Sequence, residues 1–163
     1  MLKRWQDDPF LEKIKDNLPT IGGYRRDIGY HAKSMMEANL ARAILYSGRA
    51  FESDYPIELK VEGKHKHVFG SDQTTMFIDF ATTTKRGTRV LYEIMVHPFE
   101  DPKGKAKLEM LLDQYPDINI RIINNQSYTK LRAHFESRIN ADPRFIAWET
   151  GELNLKTHPT YFW

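Results

Sequence analysis

The chain has 163 residues, and its 24 basic and 22 acidic side chains leave a formal net charge of +2. This length allows one hydrophobic core with terminal additions, and so small a charge does not by itself indicate a nucleic-acid partner. The sequence has no cysteine, which excludes disulfides and thiolate zinc sites and fits a reducing cytoplasm. No apolar run has the length of a signal-peptide core or of a membrane span, so we expect a cytoplasmic protein that has no membrane partner.

Two helices are predicted in the first third of the chain. Residues 8–17 have apolar side chains at helical spacing and precede Pro19, which predicts a short helix within an N-terminal arm. Residues 34–47 give a clearer helical pattern, with an apolar stripe that includes Leu40 and Ile44. Packing of the arm on its own domain is expected, and pairing with a second copy is the alternative.

Ser34 and Glu37 have the spacing of a capping box at the start of the second helix. In such a box the Ser34 hydroxyl accepts a hydrogen bond from the Glu37 amide, and the carboxylate reaches back to the N-cap amide. Capping therefore explains Glu37 without any role in a reaction.

Several β-type segments follow this helix. Residues 51–62 alternate weakly, 65–69 are predicted to return as a short strand, and 76–81 and 89–97 are predicted strands joined by a hairpin at 82–87. The apolar face of the first strand is formed by Tyr55, Ile57, Leu59 and Val61.

Asp79 and Glu93 lie on the two strands of this hairpin. An aspartate among β-forming apolar residues is costly to bury alone, so Asp79 needs a ligand, a partner or a sheet edge. Alternation places Glu93 on one face with Met95 and His97. The hairpin can bring both carboxylates to one edge, where hard oxygen ligands suit Mg²⁺ or Mn²⁺.

A helix, a strand and another helix complete the predicted elements. Residues 104–115 are predicted to turn their leucines toward the sheet, and 118–123 to form a strand after the turn at Pro116. Strand, helix and strand in this order imply a right-handed crossover and a parallel strand pair. Residues 129–139 are predicted to be helical, and the aromatic tail beyond them is expected to pack back on the domain. The leucines expected to face the sheet are Leu108, Leu111 and Leu112.

Three short segments carry a resemblance to a known family. Residues 33–39, KSMMEAN, are similar to the R-S-x-x-E-A-N opening of the family's first helix. Residues 77–80, FIDF, stand where the family has P-D-F, and residues 92–95, YEIM, stand where it has (D/E)-x-K. On these motifs, residues 33–128 resemble the PD-(D/E)XK nuclease superfamily. The chain departs from the pattern at Ile78, which replaces a proline, and at Met95, which replaces the lysine that assists the attacking water.

The resemblance implies an α/β (α+β) fold with a restriction-endonuclease-like core. In such a core, helices flank a mixed central sheet and the elements follow the order α-β-β-β-α-β. The chain would then divide into an N-terminal arm with a short helix at 1–32, a nuclease-like core at 33–128, and a C-terminal helix with the aromatic tail at 129–163.

The function implied is that of a metal-dependent DNA endonuclease. Similar small phage-type enzymes include Holliday-junction resolvases, head-completion nucleases and transposon-end nucleases, which would act in the host cytoplasm if phage-encoded. A structure-specific enzyme that cuts junctions or branched DNA is expected, and a four-way junction would require a two-fold homodimer. The Mg²⁺ or Mn²⁺ ligands implied are Asp79, Glu93, the backbone carbonyl of Ile94 and, through water or at a second ion, Glu37.

Met95 leaves the expected lysine role open, because a thioether carries no charge and donates no hydrogen bond. His97, Lys105 or Lys107 could take this role, or the site could be slow or catalytically inactive. The alternative function is therefore an inactive nuclease-fold protein that binds DNA or another partner. A third possibility is an unrelated α+β domain in which the carboxylates are scattered surface charges.

Basic side chains occur near the predicted elements that flank the carboxylates. They could follow a phosphate backbone, although ordinary solvated faces have the same composition. The side chains expected to contact nucleic acid are Arg25, Arg26, Lys33, Lys85, Arg86, Lys103 and Lys107.

Overall fold

A computed structural model of the protein describes residues 22–25, 28–95 and 102–139. The predicted helix at 8–17, the end of the predicted strand at 96–97 and the aromatic tail lie outside these ranges. The described elements are β1 (Gly23–Arg25), β2 (Tyr30–Ala32), α1 (Met35–Tyr46), β3 (Phe51–Lys60), a 3-10 turn (Gly63–His65), α2 (Lys66–Phe69), β4 (Gln73–Thr83), β5 (Arg89–Ile94), α3 (Pro102–Gln114), β6 (Ile120–Ile123) and α4 (Asn125–Ile139).

The chain separates into two compact units, with boundaries after Gly48 and after Thr129. Within the first unit, β1 and β2 form an antiparallel pair that α1 follows directly. The second unit, Arg49–Thr129, contains the main sheet. These boundaries differ from the predicted segments, because α1 clusters with the first unit and the sheet with the second.

The main sheet has four strands in the order β3-β4-β5-β6. The β3–β4 and β4–β5 pairs are antiparallel, and β5 and β6 are parallel. The parallel pair is the one predicted from the strand, helix and strand order, because α3 connects the end of β5 to the start of β6. The protein is thus an α+β structure with a mixed four-stranded sheet packed against helices, and its elements from α1 to β6 include the expected order α-β-β-β-α-β.

The hydrophobic core of the second unit lies between the sheet and α3. Alternation in the predicted strand at 51–62 is confirmed, since Ile57 and Leu59 of β3 and Val61 just after it are buried, and Tyr55 packs beside them. The core members from the other elements are Met76, Ile78, Ala81, Leu91, Met110 and Leu111, with Phe69, Leu108, Ile118 and Ile120 packed against them.

The leucine prediction for α3 is wrong at one position. Leu111 is fully buried and Leu108 packs on the core, but Leu112 is 49% exposed. Successive helical residues point about 100° apart, so Leu111 and Leu112 cannot both face the sheet. Met110 and Ala106 complete the buried stripe instead.

The predicted return strand at 65–69 is also wrong. This segment forms the 3-10 turn and the short helix α2, which ends at Gly70 with a φ of 63°. The amide of Val61 donates to the carbonyl of Asp72 at 2.8 Å, so the segment is an excursion between the ends of β3 and β4. Five residues with two apolar side chains at their end are too few to separate a strand from a helical turn.

The remaining boundaries agree with the predictions to within a few residues. Helix α1 begins after Ser34 and ends before Gly48, whose φ of 81° suits a glycine. Helix α4 begins at Asn125, earlier than predicted, because Asn124 Oδ1 accepts a hydrogen bond from the Ser127 amide at 2.9 Å. None of the helices in the described ranges is long and apolar enough to cross a membrane.

Candidate active site

Asp79 and Glu93 meet where the pairing of β4 with β5 ends. The last paired residues are Phe80 and Tyr92, and continuation of this register places Asp79 opposite Glu93. Beyond that point each carboxylate accepts a hydrogen bond from the other strand. The Asp79 amide donates to Glu93 Oε2 at 3.0 Å, and the Ile94 amide donates to Asp79 Oδ2 at 2.8 Å. The structure therefore brings together the two acids that the hairpin was expected to juxtapose.

These two hydrogen bonds give the carboxylates a structural role. Charge-assisted hydrogen bonds of this kind are about twice as strong as neutral ones. They replace backbone pairing at the point where the β4–β5 ladder ends. The bond from the Ile94 amide also gives half-buried Asp79 the polar partner that its burial requires. Two carboxylates held at adjoining positions also repel each other, and a cation between them would relieve that repulsion.

The chemistry of this donor set fits a hard divalent cation. Mg²⁺ is usually held by one or two carboxylates with water completing its coordination. A carboxylate offers about four lone-pair positions, so an N–H bond to one oxygen does not prevent coordination by the same group. Across the described ranges, no group of three or more aspartate, glutamate or histidine side chains could hold a metal. A site here would use the two carboxylates, and the Ile94 carbonyl stays a predicted ligand.

Glu37 has structural contacts within the first unit. It is only 5% exposed, and its Oε2 accepts hydrogen bonds from the Lys33 amide at 2.7 Å and from the Tyr30 hydroxyl at 3.3 Å. Ser34 caps α1 as predicted, since its Oγ accepts from the Glu37 amide at 3.1 Å. The capping box predicted a contact with the amide of the N-cap residue Ser34, but the carboxylate accepts from the Lys33 amide instead. Through Tyr30 it also connects α1 to β2. Its predicted part in metal binding stays a prediction.

Met95 continues the parallel pairing of β5 with β6. Its amide donates to the Ile123 carbonyl at 2.9 Å, and its side chain is half-buried. His97, the histidine expected on the same face, lies outside the described residues. The neutral thioether of Met95 therefore occupies the position at which PD-(D/E)XK nucleases have a lysine.

The lysines of α3 differ in their surroundings. Lys107 is half-buried and its Nζ donates to the Thr75 carbonyl at 2.9 Å, which joins α3 to β4. Lys103 and Lys105 are exposed. Lys107 therefore holds the helix to the sheet, and the predicted role of Lys105 beside the carboxylates stays a prediction.

The other predicted nucleic-acid contacts fall into three groups. Arg25 is fully buried, and its Nη1 donates to the Gly23 carbonyl at 2.8 Å, so its contact with a phosphate stays a prediction that this structure does not expose. Arg26 lies outside the described residues. Lys33 is exposed, and Lys85 and Arg86 are exposed at the tip of the β4–β5 hairpin.

Sequence reasoning missed a second basic group, formed by Arg49 and Arg121 around Tyr92. Arg49 Nη1 lies 3.5 Å from the Tyr92 hydroxyl, and the guanidinium carbon of Arg121 lies 5.9 Å from the centroid of the Tyr92 ring. The only signal in the sequence is that Arg121 is the single polar residue of β6. Its position beside Tyr92 depends on the β5–β6 register.

Comparisons with protein-family models, with curated proteins and with solved structures found no match to this chain.

Proposed function

We propose that the protein is a metal-dependent DNA endonuclease. One observation supports this above all: Asp79 and Glu93 converge at the end of the β4–β5 ladder, directly before Ile94. The order of elements from α1 to β6 is the one that the resemblance to PD-(D/E)XK nucleases implies. A restriction-endonuclease-like core is part of this proposal.

In the proposed mechanism, Asp79 and Glu93 would hold one Mg²⁺ or Mn²⁺, with the Ile94 carbonyl as a further ligand. When bound, such an ion polarises a scissile phosphate and lowers the pKa of a coordinated water. The backbone amides of Asp79 and Ile94 hold the two carboxylates in position, so the ligands are fixed before substrate arrives. Glu37 is the proposed contact to a water or to a second ion.

The lysine role passes to another residue in this proposal. Met95 can neither accept nor donate the proton of the attacking water. Lys105 is exposed on α3, which follows β5, and His97 is two residues beyond Met95 in the sequence. A branched or junction DNA is the proposed substrate, and a homodimer would place two such sites on a four-way junction.

Met95 specifically favours a second candidate, an inactive nuclease-fold protein that binds DNA or another partner. In that case the two carboxylates have a structural role alone, which includes accepting from the amides of Asp79 and Ile94. A methionine at position 95 would then not impair the function, because no water has to be activated.

The decisive experiment compares cleavage of labelled four-way junction, forked, duplex and single-stranded DNA with Mg²⁺ or Mn²⁺. The test variant is Asp79→Asn, which keeps an oxygen acceptor for the Ile94 amide but removes the charge. Asp113→Asn is the matched control, because Asp113 is exposed on α3. Cutting by the wild type and by the control, lost in Asp79→Asn, supports a nuclease. DNA binding without any cutting supports the second candidate, and the absence of both refutes the nuclease and the DNA-binding form of the second candidate.

A further inference from the structure

A pair of arginines surrounds Tyr92 on the main sheet. Tyr92 of β5 pairs with Phe80 of β4 and with Arg121 of β6, so the three side chains lie side by side across three strands. Arg49 lies just before β3, and its Nη1 donates to the Tyr92 hydroxyl. Alternation places this group on the face of β5 opposite to that of Glu93.

Neither guanidinium of this group meets a carboxylate within the described ranges. Arg49 has its contact with the Tyr92 hydroxyl, and Arg121 has its contact with the Tyr92 ring. Two like charges therefore share one phenol, and no carboxylate of the described ranges forms an ion pair with either of them. Such an arrangement favours an external anion, because an anion would remove the repulsion and use the remaining N–H donors.

Arg89, which lies on β5 as Tyr92 does, differs from Arg49 and Arg121 because it has a carboxylate partner. Its guanidinium also lies over a tyrosine ring, 4.5 Å from the centroid of Tyr55, but its Nη2 is 2.9 Å from Glu52 Oε2. The hydrogen bond to Glu52 raises the pKa of Arg89 above its ordinary value. The sheet thus carries two arginine–tyrosine contacts, of which only the one at Arg89 includes its own carboxylate.

The neighbour of Tyr92 on β4 is packed in the interior. Phe80, its neighbour in the sheet, is fully buried, and its ring lies edge-on to that of Phe51 at 4.9 Å between centroids. Tyr92 and Arg49 are half-buried, while Arg121 is exposed. The donors are therefore accessible to a ligand, and the tyrosine at their centre lies beside a buried residue of the neighbouring strand.

We propose that Arg49, Tyr92 and Arg121 form a phosphate-binding site that holds the DNA backbone. Guanidinium groups match the geometry of phosphate oxygens through paired N–H donors, and a tyrosine hydroxyl supplies one more donor. The inference takes DNA as the partner from the proposed function, but it does not require Asp79 and Glu93 to be catalytic.

The test measures binding of a short labelled duplex and of the same single strand in EDTA, over a series of salt concentrations. Arg49→Gln and Arg121→Gln should each lower the slope of log affinity against log salt by about 0.9 on duplex DNA. At 0.1 M salt, each change corresponds to about an eightfold loss of affinity. Arg89→Gln is the matched control, and we expect it to change neither quantity because Glu52 already neutralises Arg89.

Further variants separate phosphate binding from a loss of structure. Arg121→Lys should keep most of the salt slope, because it keeps the charge, while losing part of the affinity with the paired donors. Tyr92→Phe should leave the slope unchanged, and thermal unfolding of each variant should match that of the wild type.

Three results would overturn the inference. The first is an equal effect of all three glutamine variants, which would indicate only a general dependence on net charge. The second is binding unaffected by Arg49→Gln and Arg121→Gln, and the third is a wild type that does not bind DNA at low salt. EDTA removes any metal, so this test does not depend on cleavage. Weakened binding in these variants would support the phosphate site even if the wild type cut no DNA.

Discussion

A change of charge at Asp79 should abolish the response of the protein to divalent cations while disturbing the fold little. Asp79 accepts the Ile94 amide at 2.8 Å, and an asparagine oxygen at the same place can accept it as well. We therefore expect Asp79→Asn to retain the connection between β4 and β5. It would lose the negative charge that a divalent cation needs from this side chain.

The expected magnitudes follow from these contacts. A neutral hydrogen bond contributes about 1 kcal/mol and a charge-assisted one roughly twice that, so the substitution should cost about 1 kcal/mol of unfolding free energy without metal. Relief of repulsion from Glu93 would reduce this cost. With metal at about 100 times its dissociation constant, the wild type should gain about 2.7 kcal/mol. For a chain of this size, that gain corresponds to a rise in Tm of about 5–11 °C.

Thermal unfolding with Mg²⁺, with Mn²⁺ and with EDTA measures this response. Mn²⁺ also reports the position of the site, because it broadens the NMR signals of amides close to it. The amides of Asp79 and Ile94 should broaden first, since each donates to one of the two carboxylates. Asp113→Asn is expected to respond as the wild type does.

Two outcomes would refute the reasoning. If the wild type shows no metal-dependent rise in Tm, the two carboxylates have a structural role and bind no cation. If Asp79→Asn keeps the full rise, the cation binds elsewhere in the chain. Broadening that is strong at other amides and weak at Asp79 and Ile94 would identify the second case.

Three further substitutions test other parts of the structure. Met95→Lys should raise cleavage by up to about 100-fold if the site lacks a proton-transfer group, whereas an unchanged rate would indicate that another residue already compensates. Ile78→Ala should lower the free energy of unfolding in urea by about 2–5 kcal/mol, because Ile78 is fully buried. Phe77→Ala should lower it by less than about 1 kcal/mol, because Phe77 is 58% exposed. Equal losses would contradict the assignment of the two faces of β4. Ser34→Ala should cost about 1 kcal/mol through loss of the cap of α1, and unchanged stability would indicate that Glu37 alone fixes this end of the helix.

The regular elements of this protein were largely predictable from local patterns. Alternation indicated which residues of β3 are buried, and the Ser34 spacing indicated where α1 begins. The order of strand, helix and strand predicted the parallel β5–β6 pair. Short segments failed, as at residues 65–69, because five residues hold too little periodicity to exclude a 3-10 turn followed by a helical turn.

The sequence by itself placed Asp79 and Glu93 on adjacent strands, because a two-fold side-chain period and a short hairpin leave few other arrangements. Only the tertiary structure decided what those carboxylates contact, since their acceptor bonds exist only where β4 and β5 separate. Likewise, it buried Arg25 and brought Arg49 and Arg121 together at Tyr92. The physical reason is that local sequence sets backbone preference and periodicity, whereas burial and charge pairing depend on residues that are distant along the chain.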